Sequence, residues 1–268
     1  PSDTVADNLL ERELGHGKVG LASLNSISYN AYATLQRRLP DVEFCEFGPQ
    51  ITGIRWVRSE EELAYFRRSG YLTDLTCEAL ERELRPGMVE HDIKAIINNA
   101  YNSQEADTGI HFIASTNMDE PDRYVPYQRT TPRTITQGSV VITEITVSYW
   151  GYSTQIHRPF AIAQEPTPLY RELFDVALEC YENIRKICKP GTTSEDIVAA
   201  SSVIEDRGFS SYDSVFHGER AKFPELGTRS AWHPLEPWTL QENMVHVIQP
   251  NPITLDHKAG LQLGAAVV

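Results

Sequence analysis

The chain has 268 residues, 41% hydrophobic and 23% charged, which suits a soluble globular protein of one large domain or one large and one small. Its formal net charge is −13, and no basic run exceeds the pairs Arg37-Arg38 and Arg67-Arg68, which excludes nucleic acid and anionic membrane surfaces as expected partners. No apolar run approaches the ~20 residues needed to span a bilayer.

In chain order, residues 1–52 read as part of a small α/β domain. Lys18–Ala22 suggests a short buried strand, Ser26–Leu39 an amphipathic helix, and the alternation in Val42–Phe47 a second strand. Ile51–Val57 reads as a bridging segment to a larger domain, residues 53–268. There Ser59 and Glu62 form a capping box that opens a long helix over 59–84, which Arg85-Pro86-Gly87 ends. A shorter helix is predicted over 90–101. Gly138–Ile162 reads as two alternating strands joined by a tight turn at Tyr149-Trp150-Gly151. Alternation places Glu144 on one face with Val140, Ile142 and Thr146, and Gln155 on a face with Ser153 and His157. Such polar positions are costly to bury unless they face a pocket or each other, so this hairpin is expected to floor a functional site.

A second long helix follows over 168–188, with Thr167 as N-cap and Pro168 at its first position, and a shorter one over 194–206. Cys180 and Cys188 are separated by roughly 12 Å of helical rise, too far for a disulfide. With Cys45 and Cys77 they read as free thiols, which suggests a reducing compartment and a cytoplasmic location. RPGMVEHDI at 85–93 matches KPGTTSEDI at 189–197, an offset of 104 residues (85 to 189), and Gln137–Val141 lines up with Gln241–Val245 at the same offset. The larger domain therefore reads as helix, helix, strand hairpin, twice over. Two such halves sharing a sheet would put a site at their pseudo-two-fold axis. The chain begins at Pro1 and stops at Val268 inside a strand pattern, so both ends are expected to be incomplete.

From about Ile51 to Val268 this order, with IRWVRSEEELAYFRRSG and QGSVVITEITVSYWGYSTQIHRPFAI, resembles the pita-bread fold of the creatinase/aminopeptidase family, an α+β fold. Residues 16–50 resemble the end of that family's N-terminal domain. The resemblance implies a homodimer. It also implies, in the metallopeptidase members, two metal ions on two Asp, one His and two Glu. Position by position these fall on Glu144, Gln155, His217, Gln249 and Gln262, of which Glu144 and His217 remain good ligands. Two divalent ions about 3.5 Å apart repel by roughly 19 kcal/mol at an effective dielectric of about 20. The family offsets this with four carboxylates; this chain supplies one at those positions, and neutral amides replace bridging carboxylates poorly. The expectation is no dinuclear metal and no cofactor, with one weakly held ion on Glu144 and His217 as a minor alternative.

Creatinase, the metal-free member, is the nearer analogue by resemblance, although its catalytic histidine falls here on Tyr127. The expected activity is therefore metal-independent acid/base cleavage, by hydrolysis or a lyase step, of a C–N or related bond in a small polar substrate. His157 and Glu144 are the proton-transfer candidates, with His217 and Tyr127 polarising or positioning the substrate. Gln155, Gln249, Gln262 and Arg220 would recognise amide or carboxylate groups. For His157 the alternative is a buried structural histidine. Two other functions stay open: an inactive pita-bread domain that binds a peptide or protein, and an atypical metallopeptidase or prolidase.

Overall fold

Residues 1–22, 24–107, 109–218, 225–231 and 237–268 are described by the computed structural model, and they separate into two units, Pro1–Trp56 and Val57–Val268. The first unit runs α1 (Ser2–Glu11), β1 (His16–Leu21), α2 (Tyr29–Arg38), β2 (Asp41–Glu46) and α3 (Gly48–Trp56). Ser28 caps α2 by accepting from the Ala31 amide at 3.3 Å. That helix is the crossover that lets β1 and β2 pair in parallel, from His16 opposite Asp41 to Leu21 opposite Glu46. Ala6, Leu35 and Leu39 form the small core. Two expectations change here. β1 is largely exposed, with only Val19 and Leu21 partly buried, and the bridging segment is the end of a helix, α3.

The second unit opens with α4 (Glu60–Glu83). The capping box is present in full: Ser59 Oγ accepts from the Glu62 amide at 3.2 Å, and the Glu62 carboxylate accepts from the Ser59 amide at 3.0 Å. Next come α5 (Glu90–Tyr101), β3 (His111–Asn117), β4 (Ser139–Tyr149) and β5 (Tyr152–Ala161). They are followed by α6 (Pro168–Ile187), α7 (Ser194–Ala200), α8 (Val203–Asp206), β6 (Ser210–Ser211), β7 (Phe216–Gly218), β8 (His246–Ile248), β9 (Pro252–Ile253) and β10 (Gly264–Val267). The helix expected over 194–206 is interrupted at Ser201, whose hydroxyl bonds back to the Val198 carbonyl at 2.8 Å. Thr167 is the N-cap of α6, with Pro168 in its first turn. Its hydroxyl, however, bonds the Met118 carbonyl at 3.5 Å instead of capping the helix.

The internal repeat is visible in the hydrogen bonds. Gly87 donates to Ile135 O at 2.8 Å and Ile135 donates to Met88 O at 2.7 Å; Gly191 donates to Leu240 O at 2.9 Å and Leu240 donates to Thr192 O at 2.8 Å. Gly87 and Gly191 share a left-handed φ of +94° and +95°, the conformation that lets the chain leave each long helix at the same angle. The main sheet has the order β3-β4-β5-β10-β8-β7. Each half contributes three strands in mirrored order, and the seam between them lies where β5 meets β10, with His157 opposite Gly264.

Alternation assigns the two faces of the sheet. Val141, Ile145, Val147 and Ile156 pack with Leu72, Ala79, Leu80, Ile93 and Ile97 of α4 and α5. Glu144 and Thr146 therefore point to the opposite face, as the sequence pattern requires. Among the described residues, no helix is long and apolar enough to cross a membrane.

One buried carboxylate fastens the approach to that face. Glu90, fully buried at the start of α5, accepts from the amide and hydroxyl of Ser115 on β3, both at 2.8 Å. Its other oxygen accepts from the amide (2.6 Å) and hydroxyl (2.8 Å) of Thr131. Helix, edge strand and the loop through residues 123–133 are thus tied at one point. Glu90→Ala strands these buried donors and is expected to cost about 3 kcal/mol of unfolding free energy in a denaturant titration, whereas exposed Glu81→Ala changes it by less than about 0.5 kcal/mol.

Candidate functional site

The antiparallel register sets Glu144 opposite His157 and Thr146 opposite Gln155, so the carboxylate, imidazole and amide share one face at the seam. Glu144 Oε2 lies 3.9 Å from His157 Nε2, and Gln155 Nε2 donates to Glu144 Oε1 at 3.4 Å. The other half adds His217 from β7, Gln249 just after β8 and Gln262 just before β10. Gly264 makes the seam possible. A Cβ there would sit 2.1 Å from the Ile248 carbonyl and 3.0 Å from His157 Nδ1. Arg158, pointing away from His157, binds the backbone carbonyls of His157 and Gly264 at 2.8 Å each and so straps the halves together.

Burial decides the charges. The Glu144 carboxyl, 9% exposed, is pushed up to about 7, first by loss of water, then by the nearby Asp213 carboxylate, with a small offset from the Gln262 amide. His157 is wholly buried, and desolvation, then His217 and Arg158, holds it well below its ordinary value. The sequence suggests a histidine that exchanges protons near neutral pH; in the fold it stays neutral, and Glu144 alone of the pair titrates there. Asp213 is a member of the site that the sequence does not single out. Burial raises its carboxyl too, and the Ser214 amide donates to its Oδ1 at 2.8 Å. Its neighbourhood is fixed by buried Asn251, whose Nδ2 donates to Ser214 O at 3.0 Å and whose Oδ1 accepts from the Asp213 amide at 3.2 Å. The one signal for it is an acid four residues ahead of His217, in Asp213-Ser214-Val215-Phe216-His217.

The glutamines divide into anchored and open. Gln249 Nε2 donates to Ser214 O at 3.0 Å, which turns its Oε1 toward His217 Nε2 at 3.1 Å. Gln262 Oε1 accepts from Gln128 Nε2 at 2.6 Å, leaving Gln262 Nε2 buried and short of conventional hydrogen-bond geometry. Gln155 Oε1 and both ring nitrogens of His157 are likewise buried without a hydrogen-bond partner. Buried donors and acceptors left without a partner around one carboxyl call for a bound water or another polar molecule to satisfy them. Gln128 is a second member that sequence alone does not reveal; the expected residue is its neighbour Tyr127. Tyr127 is 60% exposed, packs edge-on against Tyr124 and lines a cavity at the β3 edge of the sheet. Arg220 lies outside the described residues.

A pair of metal ions does not fit this donor set. Of the five positions the family uses, one carries a carboxylate, and both ring nitrogens of His217 are engaged by oxygens, Nε2 by Gln249 and Nδ1 by the Gly218 carbonyl at 2.9 Å. Among the described residues, no group of three or more His, Cys, Asp or Glu side chains is placed to hold an ion.

The Glu144 shift has a stability consequence with a definite sign. The folded protein keeps this proton up to about pH 7, the unfolded chain only to its ordinary 4.5. The favourable contribution is therefore complete below 4.5 and is lost as pH rises through 7, a change of roughly 3 kcal/mol. Glu144→Gln removes the ionisation, so the variant is expected to melt above the parent at pH 8 and level with it at pH 4, measured by calorimetry.

A profile of the family described as Metallopeptidase family M24 matches residues 64–268. An uncharacterized hydrolase/peptidase of Sinorhizobium fredii is 28% identical over 196 residues, 72% of this chain and 50% of that protein. The Xaa-Pro dipeptidase of Pyrococcus furiosus is 22% identical over 230 residues, 84% of this chain and 64% of the relative. The chain thus spans half to just under two thirds of the length of these relatives. The prolidase from Pyrococcus horikoshii OT3 superposes with a TM-score of 0.85 at 19% identity, over 100% of this chain and 74% of that one. The X-Pro aminopeptidase from Thermotoga maritima MSB8 gives 0.80 at 20% identity, over 100% and 74%. These relatives carry peptidase names, so the expected leaning toward creatinase finds no support among them. The fold is the pita-bread fold, and the chain belongs to the M24 metallopeptidase family.

Proposed function

We propose that this chain hydrolyses the C–N bond of an amide in a small, peptide-like substrate, using Glu144 as its proton-transfer group in place of the family's metal pair. The observation that carries the reading is the pair of open amide atoms flanking Glu144. Gln262 Nε2, a buried donor beside the Glu144 carboxyl, complements the C=O of a substrate amide, and Gln155 Oε1, a buried acceptor without a hydrogen-bond partner, complements an N–H of the substrate such as its free amino group. A water molecule between the substrate and Glu144 gives its proton to the carboxylate as its oxygen bonds to the carbonyl carbon. Charge developing on the carbonyl oxygen meets the Gln262 amide. The proton held on Glu144 then passes to the nitrogen as the C–N bond breaks, releasing an acid and an amine. A carboxyl poised near 7 suits both directions of that transfer, and His157, wholly buried, stays neutral beside it. The peptidase names of the relatives favour hydrolysis over a lyase step and suggest Xaa-Pro dipeptides as the first substrates to try.

The test is release of free proline from a panel of Xaa-Pro dipeptides by the purified protein, before and after exhaustive treatment with a chelator. The expected result is turnover that survives chelation, rises about tenfold from pH 6 to pH 8 as the Glu144 proton leaves, and falls at least about a hundredfold in Glu144→Gln. Loss of activity on chelation with recovery on adding manganese or cobalt would return the chain to the metallopeptidases. Absence of turnover on every peptide would leave it a binding domain.

A further inference from the structure

At the β3 edge of the sheet lies a cavity of about 790 Å³, lined from α5 by His91, Lys94 and Asn98, from the start of β3 by His111 and Phe112, and by the loop through Pro126–Thr130. The spacing of the three α5 residues, three and then four apart, turns them to one side of the helix. The cavity reaches the reacting centre at two points. Phe112 is the cross-strand partner of Glu144, so its ring stands on the same face of the sheet. Gln128, in the cavity wall, donates to Gln262 at 2.6 Å. The Glu90 anchor, through Thr131, holds the loop that carries Gln128 and Arg129 in place.

The charge of this wall runs against that of the chain. Net charge is −13, yet the described lining residues include the Lys94 ammonium and the Arg129 guanidinium and no carboxylate. Ile110, Phe112 and Pro126 supply an apolar stretch beside them. Such a wall suits a side chain with a hydrocarbon stem and an anionic head, and the volume is far more than a lone terminal carboxylate needs. The Lys94 charge already acts inside the fold. Burial first, and then this ammonium, holds the His111 ring down to about 4, so that ring adds hydrogen-bonding capacity but no charge to the wall.

We infer that this cavity is a subsite for an acidic side chain of the substrate, with Lys94 and Arg129 receiving its carboxylate. The inference rests on the amide-hydrolase reading for its substrate class, but binding tests it separately. The probes are Glu-Pro, its neutral isostere Gln-Pro, and Gln-prolinamide, titrated calorimetrically into the Glu144→Gln protein and into the same protein carrying Lys94→Ala and Arg129→Ala. Glu-Pro is expected to bind at least about tenfold tighter than Gln-Pro at low salt, with the gap narrowing at high salt and closing to under about threefold in the double alanine background. Gln-Pro itself should bind alike in both backgrounds, which shows that the fold is intact. Equal binding of Glu-Pro and Gln-Pro, a preference that survives loss of both cations, or a loss seen on passing only from Gln-Pro to Gln-prolinamide would each overturn the inference. If Glu-Pro is preferred through Lys94 and Arg129 yet no dipeptide is hydrolysed by the parent protein, the subsite stands and the hydrolase reading falls. If dipeptides are hydrolysed without that preference, the hydrolase reading stands and the subsite falls.

Discussion

A carboxyl group buried at the join of two half-sheets is the constraint on which the rest of this structure turns. Glu144 and His157 face each other across β4 and β5, and His157 in turn faces Gly264 across the seam. Placing an acid there has a desolvation cost, and the fold answers by keeping the proton on Glu144 to about pH 7 and the imidazole neutral. The seam must also close tightly for the pair to meet, which is why a residue without a Cβ sits at 264 and why Arg158 holds two backbone carbonyls.

The family places four carboxylates and a histidine around two cations. At the positions that the resemblance assigns to those ligands this chain has Glu144, His217 and three glutamines, whose hydrogen bonds are directed rather than charged. Gln249 and His217 lock each other, and Gln262 is oriented by Gln128. Asp213, held by its own loop, adds negative charge and so raises Glu144 further, where a metal pair would have drawn its proton away.

Outside the centre the chain is strongly acidic, and the basic wall of the adjoining cavity stands out against it. Glu90 links the two regions. It is a structural carboxylate, saturated by four donors, and it ties the cavity loop to β3, the edge strand that also sets Phe112 beside Glu144. Position of the loop, orientation of Gln262 and reach of Lys94 and Arg129 therefore depend on one anchor.

Much of this is legible in the order of residues alone. The capping box at Ser59, the glycine exits at 87 and 191, the tight turn at Trp150 and the period-two pattern of β4 and β5 are local signals, each set by backbone sterics or by hydrogen bonds within a few residues, and all recur in the fold. The 104-residue repeat carries the mirrored halves, since like sequences fold into like elements and repeat their bonds, as Gly87 to Ile135 and Gly191 to Leu240 do. Burial, and contacts between residues far apart along the chain, have no local signature. That His157 is wholly enclosed and neutral, that Asp213 approaches Glu144, that Gln128 rather than Tyr127 reaches the centre, and that Lys94 and Arg129 share a cavity wall were decided by tertiary packing. Desolvation and electrostatic coupling depend on three-dimensional distance and not on position along the chain.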